Sequence, residues 1–148
     1  MKKLINTLTK RNETISFVES MTGGNLVGKL VKYKDASLIL KESYVLYDSY
    51  LKSKRLNFDY NLILKYGVVS KEIAKEMVLK LSDLTKANLT VSITGYASGK
   101  NPNQVYIGIK YNDYLKVFHQ VFDDKNTRIK NINETVKKTY ELINKIIN

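Results

Sequence analysis

Phe17-Val18-Glu19-Ser20-Met21-Thr22-Gly23-Gly24 is the stretch on which the reading of this chain turns. Ile15 to Val18 is an apolar, β-branched run and reads as a buried strand. Polar residues and two glycines stop it, and a helical pattern starts at Leu26. Such a strand-to-helix turn gathers hydroxyls and unpaired backbone N–H groups at the positive end of a helix dipole. It suits an anion, or a serine oxygen flanked by N–H donors for a developing oxyanion. It suits a plain cap equally well, with Ser20 or Thr22 capping the helix and the glycines letting the chain turn. On this stretch alone the capping reading is favoured, because capped helices far outnumber active sites.

Outward from the turn, Leu4, Ile5 and Leu8 predict a short first helix over 2–10, ending near Asn12. The first strand runs from Thr14 to Val18. Leu26, Val27, Leu30 and Val31 place an apolar stripe on a helix from about Gly24 to Tyr33. Residues 37–40 stay open. Ser43 to Tyr47 reads as a strand, Ser49 to Leu56 as a short helix or turn, and 57–65 as a short helix or irregular segment. Ser70 is a good N-cap, with Glu72 in the first turn and Ile73, Met77, Leu81 and Leu84 at helical spacing behind it. Asn88 to Thr94 is a strand leading into Gly95. After a polar loop over 96–103, strands at 104–110 and 114–122 are joined by a tight hairpin at Asn112-Asp113. The last helix, from about Lys125 to Ile147, puts Ile129, Ile132, Val136, Ile143 and Ile147 on one face. The order α-β-α-β-α-α-β-β-β-α predicts an α/β fold over residues 1–148: a single-domain, three-layer α/β/α sandwich with a mixed sheet. Ligands of such sheets bind beyond the carboxyl ends of strands, and Ser20 and Thr94 both lie at such ends.

Composition narrows the chemistry. The chain has 148 residues and no cysteine, which excludes disulfides, thiol nucleophiles and thiolate metal sites. A single histidine cannot build a histidine cluster, and no spacing of carboxylates suggests a metal site. No stretch reaches transmembrane length, and no cleavable leader follows Met1-Lys2-Lys3, so the expectation is a cytoplasmic protein without a membrane partner. The net charge of +11 invites a nucleic-acid reading. Only three of the 25 basic residues are arginine, however, and the lysines are spread rather than clustered. No specific nucleic-acid partner is expected, although the surface would attract small anions.

A serine nucleophile needs a base. His119 sits mid-strand between apolar neighbours and reads as a packed or surface residue. Lysine is the alternative, its pKa lowered by burial or by nearby positive charge. Lys52 is favourably placed on the short helix after the strand ending at Tyr47, with Tyr47 as a phenolic neighbour. Taken by itself it is one more solvated lysine among 22.

Taken in order, ESMTGG (Glu19 to Gly24), YDSYLK (Tyr47 to Lys52), YGVVS (Tyr66 to Ser70), SITG (Ser92 to Gly95) and VYIGI (Val105 to Ile109) resemble the C-terminal domain of the competence/damage-inducible CinA family, which also occurs alone as nicotinamide-nucleotide amidase. The resemblance implies an α/β/α amidohydrolase, usually oligomeric, without cofactor or metal, that converts nicotinamide mononucleotide to nicotinic acid mononucleotide and ammonia. It implies Ser20 as nucleophile, Lys52 as base and Tyr47 as a group that holds or relays the proton. Thr22, Gly23, Gly24, Thr94 and Gly95 fall on its substrate-binding motifs, with N–H groups near Gly23 and Gly24 serving an oxyanion or a phosphate. Four positions depart from the family pattern. Met21 stands for a cysteine, Ser49 for an asparagine, the loop from Tyr96 to Asn103 is shorter and less glycine-rich, and Asp124-Lys125-Asn126 replaces Gly-Asp-Arg, with Arg128 two positions further on. The last two departures predict weaker binding of the mononucleotide, or a preference for another small amide, with Lys100 or Arg128 supplying the positive charge. The rival readings are a family member without catalysis, acting as a ligand-binding or interaction domain, and a basic nucleic-acid-binding domain.

Overall fold

Alternation along the first strand divides the molecule. Of residues Ile15–Glu19 (β1), all buried, Ile15 and Phe17 pack into one apolar cluster and Val18 into another, on opposite faces of the sheet. The computed structural model describes all 148 residues. Around β1 the chain runs α1 (Lys2–Lys10), β1, α2 (Asn25–Val31), a 3₁₀ turn (Ala36–Leu38), β2 (Leu40–Val45), α3 (Ser49–Leu56), α4 (Tyr60–Tyr66) and α5 (Lys71–Thr85). It continues through β3 (Leu89–Tyr96), β4 (Gln104–Tyr111), β5 (Tyr114–Val121) and α6 (Arg128–Ile147). The sheet order is β2-β1-β3-β4-β5. β1 pairs parallel with β2 and with β3; β4 and β5 add an antiparallel hairpin, so the sheet is mixed as expected.

One face carries the larger core. Leu4, Ile5 and Leu8 of α1, Leu26 and Leu30 of α2, and Val136, Tyr140 and Ile143 of α6 close over Phe17, Val91, Ile93, Ile107 and Ile109. The other face is thinner and more polar. Val18 meets Leu56, Ile63, Ile73, Met77 and Leu81 of α3, α4 and α5. Beside them, alternate hydroxyls of β3 donate to backbone carbonyls: Thr90 to Val78 (3.4 Å), Ser92 to Ala74 (2.7 Å) and Thr94 to Val68 (2.6 Å). Those bonds draw α5 down onto the sheet. Ser70 caps α5 as read from sequence, its oxygen accepting the Ile73 N–H.

Three apolar positions differ from the periodic reading. Val31, Leu84 and Ile129 are more than half exposed, at 54%, 51% and 71%. Each lies at or near a helix end, where the period persists but the opposing layer does not; burial along α6 starts at Asn131. The second strand begins at Leu40 rather than Ser43, because it is an edge strand and lacks a clean buried alternation. No helix is long and apolar enough to cross a membrane.

Candidate active site

Parallel pairing between β1 and β3 ends at Val18 and Ser92, and the two strand ends then part. Into the gap opens a cavity of about 240 Å³, lined among others by Ser20, Tyr47, Ser49, Lys52, Thr94, Gly95, Ser98 and Arg128. Ser20 and Thr94 thus meet at the carboxyl edge of the sheet, as the strand order requires.

Ser20 is not a helix cap. α2 begins after Gly24, which sits at φ 93 and makes no side-chain cap. The cap comes from Glu19, a fully buried carboxylate. Its Oε2 accepts the Thr22 hydroxyl at 2.7 Å and the Gly24 and Leu26 N–H groups at 3.1 Å each; its Oε1 accepts the Val27 N–H at 3.0 Å. A carboxylate among first-turn donors is stabilised by the helix dipole. Tyr140 closes the arrangement from α6, its hydroxyl donating to the Leu26 carbonyl at 2.6 Å. Burial first, and then the charge of Glu19, push its phenol pKa up.

Lys52 lies across the cavity on α3. Asp48 caps that helix, accepting the Leu51 N–H at 2.8 Å, and Asn57 ends it in the left-handed conformation. Lys52 falls on the buried face with Ser53 and Leu56 and is 1% exposed. Its Nζ donates to Ser20 Oγ at 3.4 Å. Burial lowers its pKa from 10.5 to about 8, against a smaller opposing effect from Asp48. A neutral amine beside a serine hydroxyl is therefore accessible near physiological pH. That is the condition for a lysine base.

The remaining expected residues divide. Thr94 lines the cavity with its hydroxyl given to Val68. Gly95 lines it because nothing larger fits: a Cβ there would lie 2.5 Å from Met21 Sδ and 2.6 Å from the Gln104 carbonyl. Tyr47 also lines it, but its hydroxyl accepts from Arg128 Nη2 at 2.6 Å rather than pairing with Ser20 or Lys52. Thr22, Gly23 and Gly24 lie outside the cavity, behind Ser20. The Gly23 N–H goes to the Ser20 carbonyl and the Gly24 N–H to Glu19, so neither is free for a ligand.

Sequence reasoning left two residues without a firm place. Glu19 belongs to the Glu19–Gly24 motif, and its signal is its position, one residue before Ser20 and so on the opposite face. Arg128 supplies the guanidinium at the cavity mouth, bonded to Tyr47 and to Ser98 Oγ (2.9 Å). Lys100 instead stacks over Tyr96, and Asn126 faces Asn131 and Glu134. His119 pairs with Gln104 and stacks on Tyr106, away from Ser20.

The family model described as the CinA C-terminal domain matches residues 1–147. The chain belongs to the CinA C-terminal domain family. A CinA-like protein of Prochlorococcus marinus (strain AS9601) is 34% identical over an alignment of 133 positions that covers 85% of this chain and 31% of that protein. Three curated relatives are covered to 30%, 31% and 33% of their length, so the chain spans about a third of the CinA relatives it matches. Among solved structures, a competence or damage-inducible protein from Enterobacter asburiae superposes with a TM-score of 0.92 at 19% identity, covering 99% of this chain and 95% of that one. The competence/damage inducible protein CihA from Agrobacterium tumefaciens gives 0.89 at 22% identity, with 99% and 93% covered. At such identities these structures establish the CinA fold and nothing finer.

Proposed function

We propose that this CinA domain is a serine/lysine amidohydrolase that converts nicotinamide mononucleotide to nicotinic acid mononucleotide and ammonia. The observation that carries the reading is the Ser20–Lys52 pair, a buried amine of lowered pKa against a serine oxygen at the inner end of a cavity. Neutral Lys52 takes the Ser20 proton as Oγ bonds to the carboxamide carbon. The resulting ammonium returns that proton to the departing nitrogen, so the C–N bond breaks to release ammonia and leaves an acyl-serine. Water then attacks the ester; Lys52 takes its proton and restores it to Ser20 Oγ as the acid leaves.

The rest of the cavity fits a small amide with an anionic tail. Its volume is below the range typical of drug-sized ligands, which suits a flat ring whose substituent extends outward. At the mouth Arg128 offers a planar donor fork, already aimed by Tyr47 and Ser98, of the kind that binds phosphate. In this reading Tyr47 orients the arginine rather than relaying a proton. The test is ammonia release from nicotinamide mononucleotide by the purified protein, with Ser20→Ala as control. Release that Ser20→Ala abolishes supports the reading. Absence of release, or release that survives the substitution, sinks it.

A further inference from the structure

Three consecutive backbone N–H groups at the turn, those of Ser20, Met21 and Thr22, have no partner within the chain, although all three residues are buried. Buried backbone donors are nearly always paired, so a run of three requires a reason. The donors around them are all engaged. Gly23 N–H bonds the Ser20 carbonyl and Asn25 N–H the Thr22 carbonyl, at 2.9 Å each. Gly24, Leu26, Val27 and the Thr22 hydroxyl converge on Glu19.

The direction of the Ser20 N–H follows from the strand. Glu19 still pairs towards β2, its carbonyl accepting the Leu46 N–H at 2.9 Å. Successive residues of a strand turn their backbone groups to opposite neighbours, so the Ser20 N–H faces β3. The β1–β3 ladder has already ended there, and the N–H opens into the gap where the cavity begins. Met21 follows, its side chain packed so closely on Gly95 that a Cβ at that glycine would overlap its sulfur.

Resting on the amidohydrolase reading above, we infer that the N–H groups of Ser20 and Met21, both cavity-lining residues, form the oxyanion hole, and that Glu19 is the positioning residue that holds them there. As Ser20 Oγ bonds to the carboxamide carbon, the π pair of the C=O bond moves onto oxygen, and the two N–H groups donate to it. Glu19 acts from the far face of the sheet. It ties four neighbouring donors down, so the turn cannot rotate to satisfy its own free N–H groups. The helix N-terminus that sequence offers as an anion site is thereby occupied by the protein's own carboxylate, and the free donors lie one step earlier in the chain.

The test replaces the Met21 amide N–H by an ester oxygen. That N–H has no partner to lose, so Tm should stay within a few degrees of wild type. The kcat for nicotinamide mononucleotide should fall about 10²–10³-fold with KM within about threefold, the usual effect of one lost oxyanion donor. A folded ester variant with unchanged kcat overturns the assignment. Pyridine-3-boronic acid probes the same site without a turnover assay, because its boron becomes tetrahedral on a serine oxygen. Wild-type protein should form the adduct, and the ester variant should bind the boronate at least about tenfold more weakly. Equal affinity in the two, or no adduct with wild type, overturns the oxyanion hole. Lack of ammonia release from wild type overturns only the amidase reading. Glu19→Gln should lower kcat about tenfold or more at temperatures well below its Tm, with KM held. A variant that loses stability but keeps kcat reduces Glu19 to a structural cap.

Discussion

The two faces of the sheet are built differently. On the α1/α2/α6 face, 23 buried residues form one apolar cluster, and the contacts are those of a close-packed core. On the α3/α4/α5 face the cluster has six members, three β3 hydroxyls reach helix and loop carbonyls, and a lysine is buried without a carboxylate bonded to it. The first face supplies cohesion. The second tolerates a poorly solvated amine, which weakens the fold and lowers the amine's pKa. In the proposed function, stability and chemistry are separated by one strand's thickness, with Glu19 and Ser20 on either side of it.

The contrast fails first at Ser20 if it is wrong. Ser20→Ala should lower kcat by at least about 10⁴-fold. Its stability should barely change, since the only side-chain bond lost is the one from Lys52. Lys52→Arg should be equally inactive, because a guanidinium cannot accept the serine proton. Turnover within tenfold of wild type in either variant would remove that residue from the chemistry.

Phe17→Ala asks the converse on the apolar face. Loss of this fully buried ring should cost about 3–5 kcal/mol in denaturant unfolding, while the folded variant turns over normally at low temperature. A parallel loss of kcat would show that the faces are not separable.

The third test is the buried lysine. With its folded pKa lowered to about 8 from 10.5, the native state binds fewer protons than the unfolded chain between those values. Stability from this group is therefore lowest below about pH 8 and rises as pH climbs towards 10.5. Lys52→Met should raise stability at pH 7 by up to about 3 kcal/mol, a gain that vanishes near pH 10.5. In wild type, kcat/KM should rise about tenfold per pH unit below pH 8 and level above it. A Lys52→Met protein less stable than wild type at pH 7 contradicts the account.

Smaller effects sharpen the picture. Arg128→Ala should raise KM for the mononucleotide about tenfold with little change in kcat, and should leave an unphosphorylated pyridine carboxamide unaffected. Equal losses for both amides would deny the arginine a phosphate. Ser92→Ala, which breaks one hydroxyl–carbonyl bond under α5, should cost about 1 kcal/mol. A cost several times larger would move part of the cohesion onto the polar face.

The α/β/α order, the mixed sheet and the Ser70 cap were legible because each depends on local period or capping chemistry; residues 49–56 read as a helix or a turn, and the Asp48 cap that makes them a helix is a finding of the structure. Val31, Leu84 and Ile129 were not, since a helix keeps its apolar period past the edge of the layer that would bury it. Ser20 stood out from its turn, but its role as nucleophile and the choice of Lys52 rested on motif resemblance: nothing in residues 47–56 says that this lysine is buried. Arg128 was visible only as a spare cation near a motif that had lost its arginine.

By itself, the sequence determined where strands and helices lie and that a serine stands at a strand's carboxyl end, because periodicity, turn residues and caps act within a few residues of each other. Tertiary structure brought Lys52 to that serine, 32 positions away, buried it there, and decided which arginine closes the mouth from 81 positions beyond Tyr47. It decided also that Glu19, not Ser20 or Thr22, caps α2. The physical reason is that burial and proximity belong to the packed layers. A lysine's pKa falls only when other elements exclude water from it, and a backbone N–H is free only where a neighbouring strand has ended.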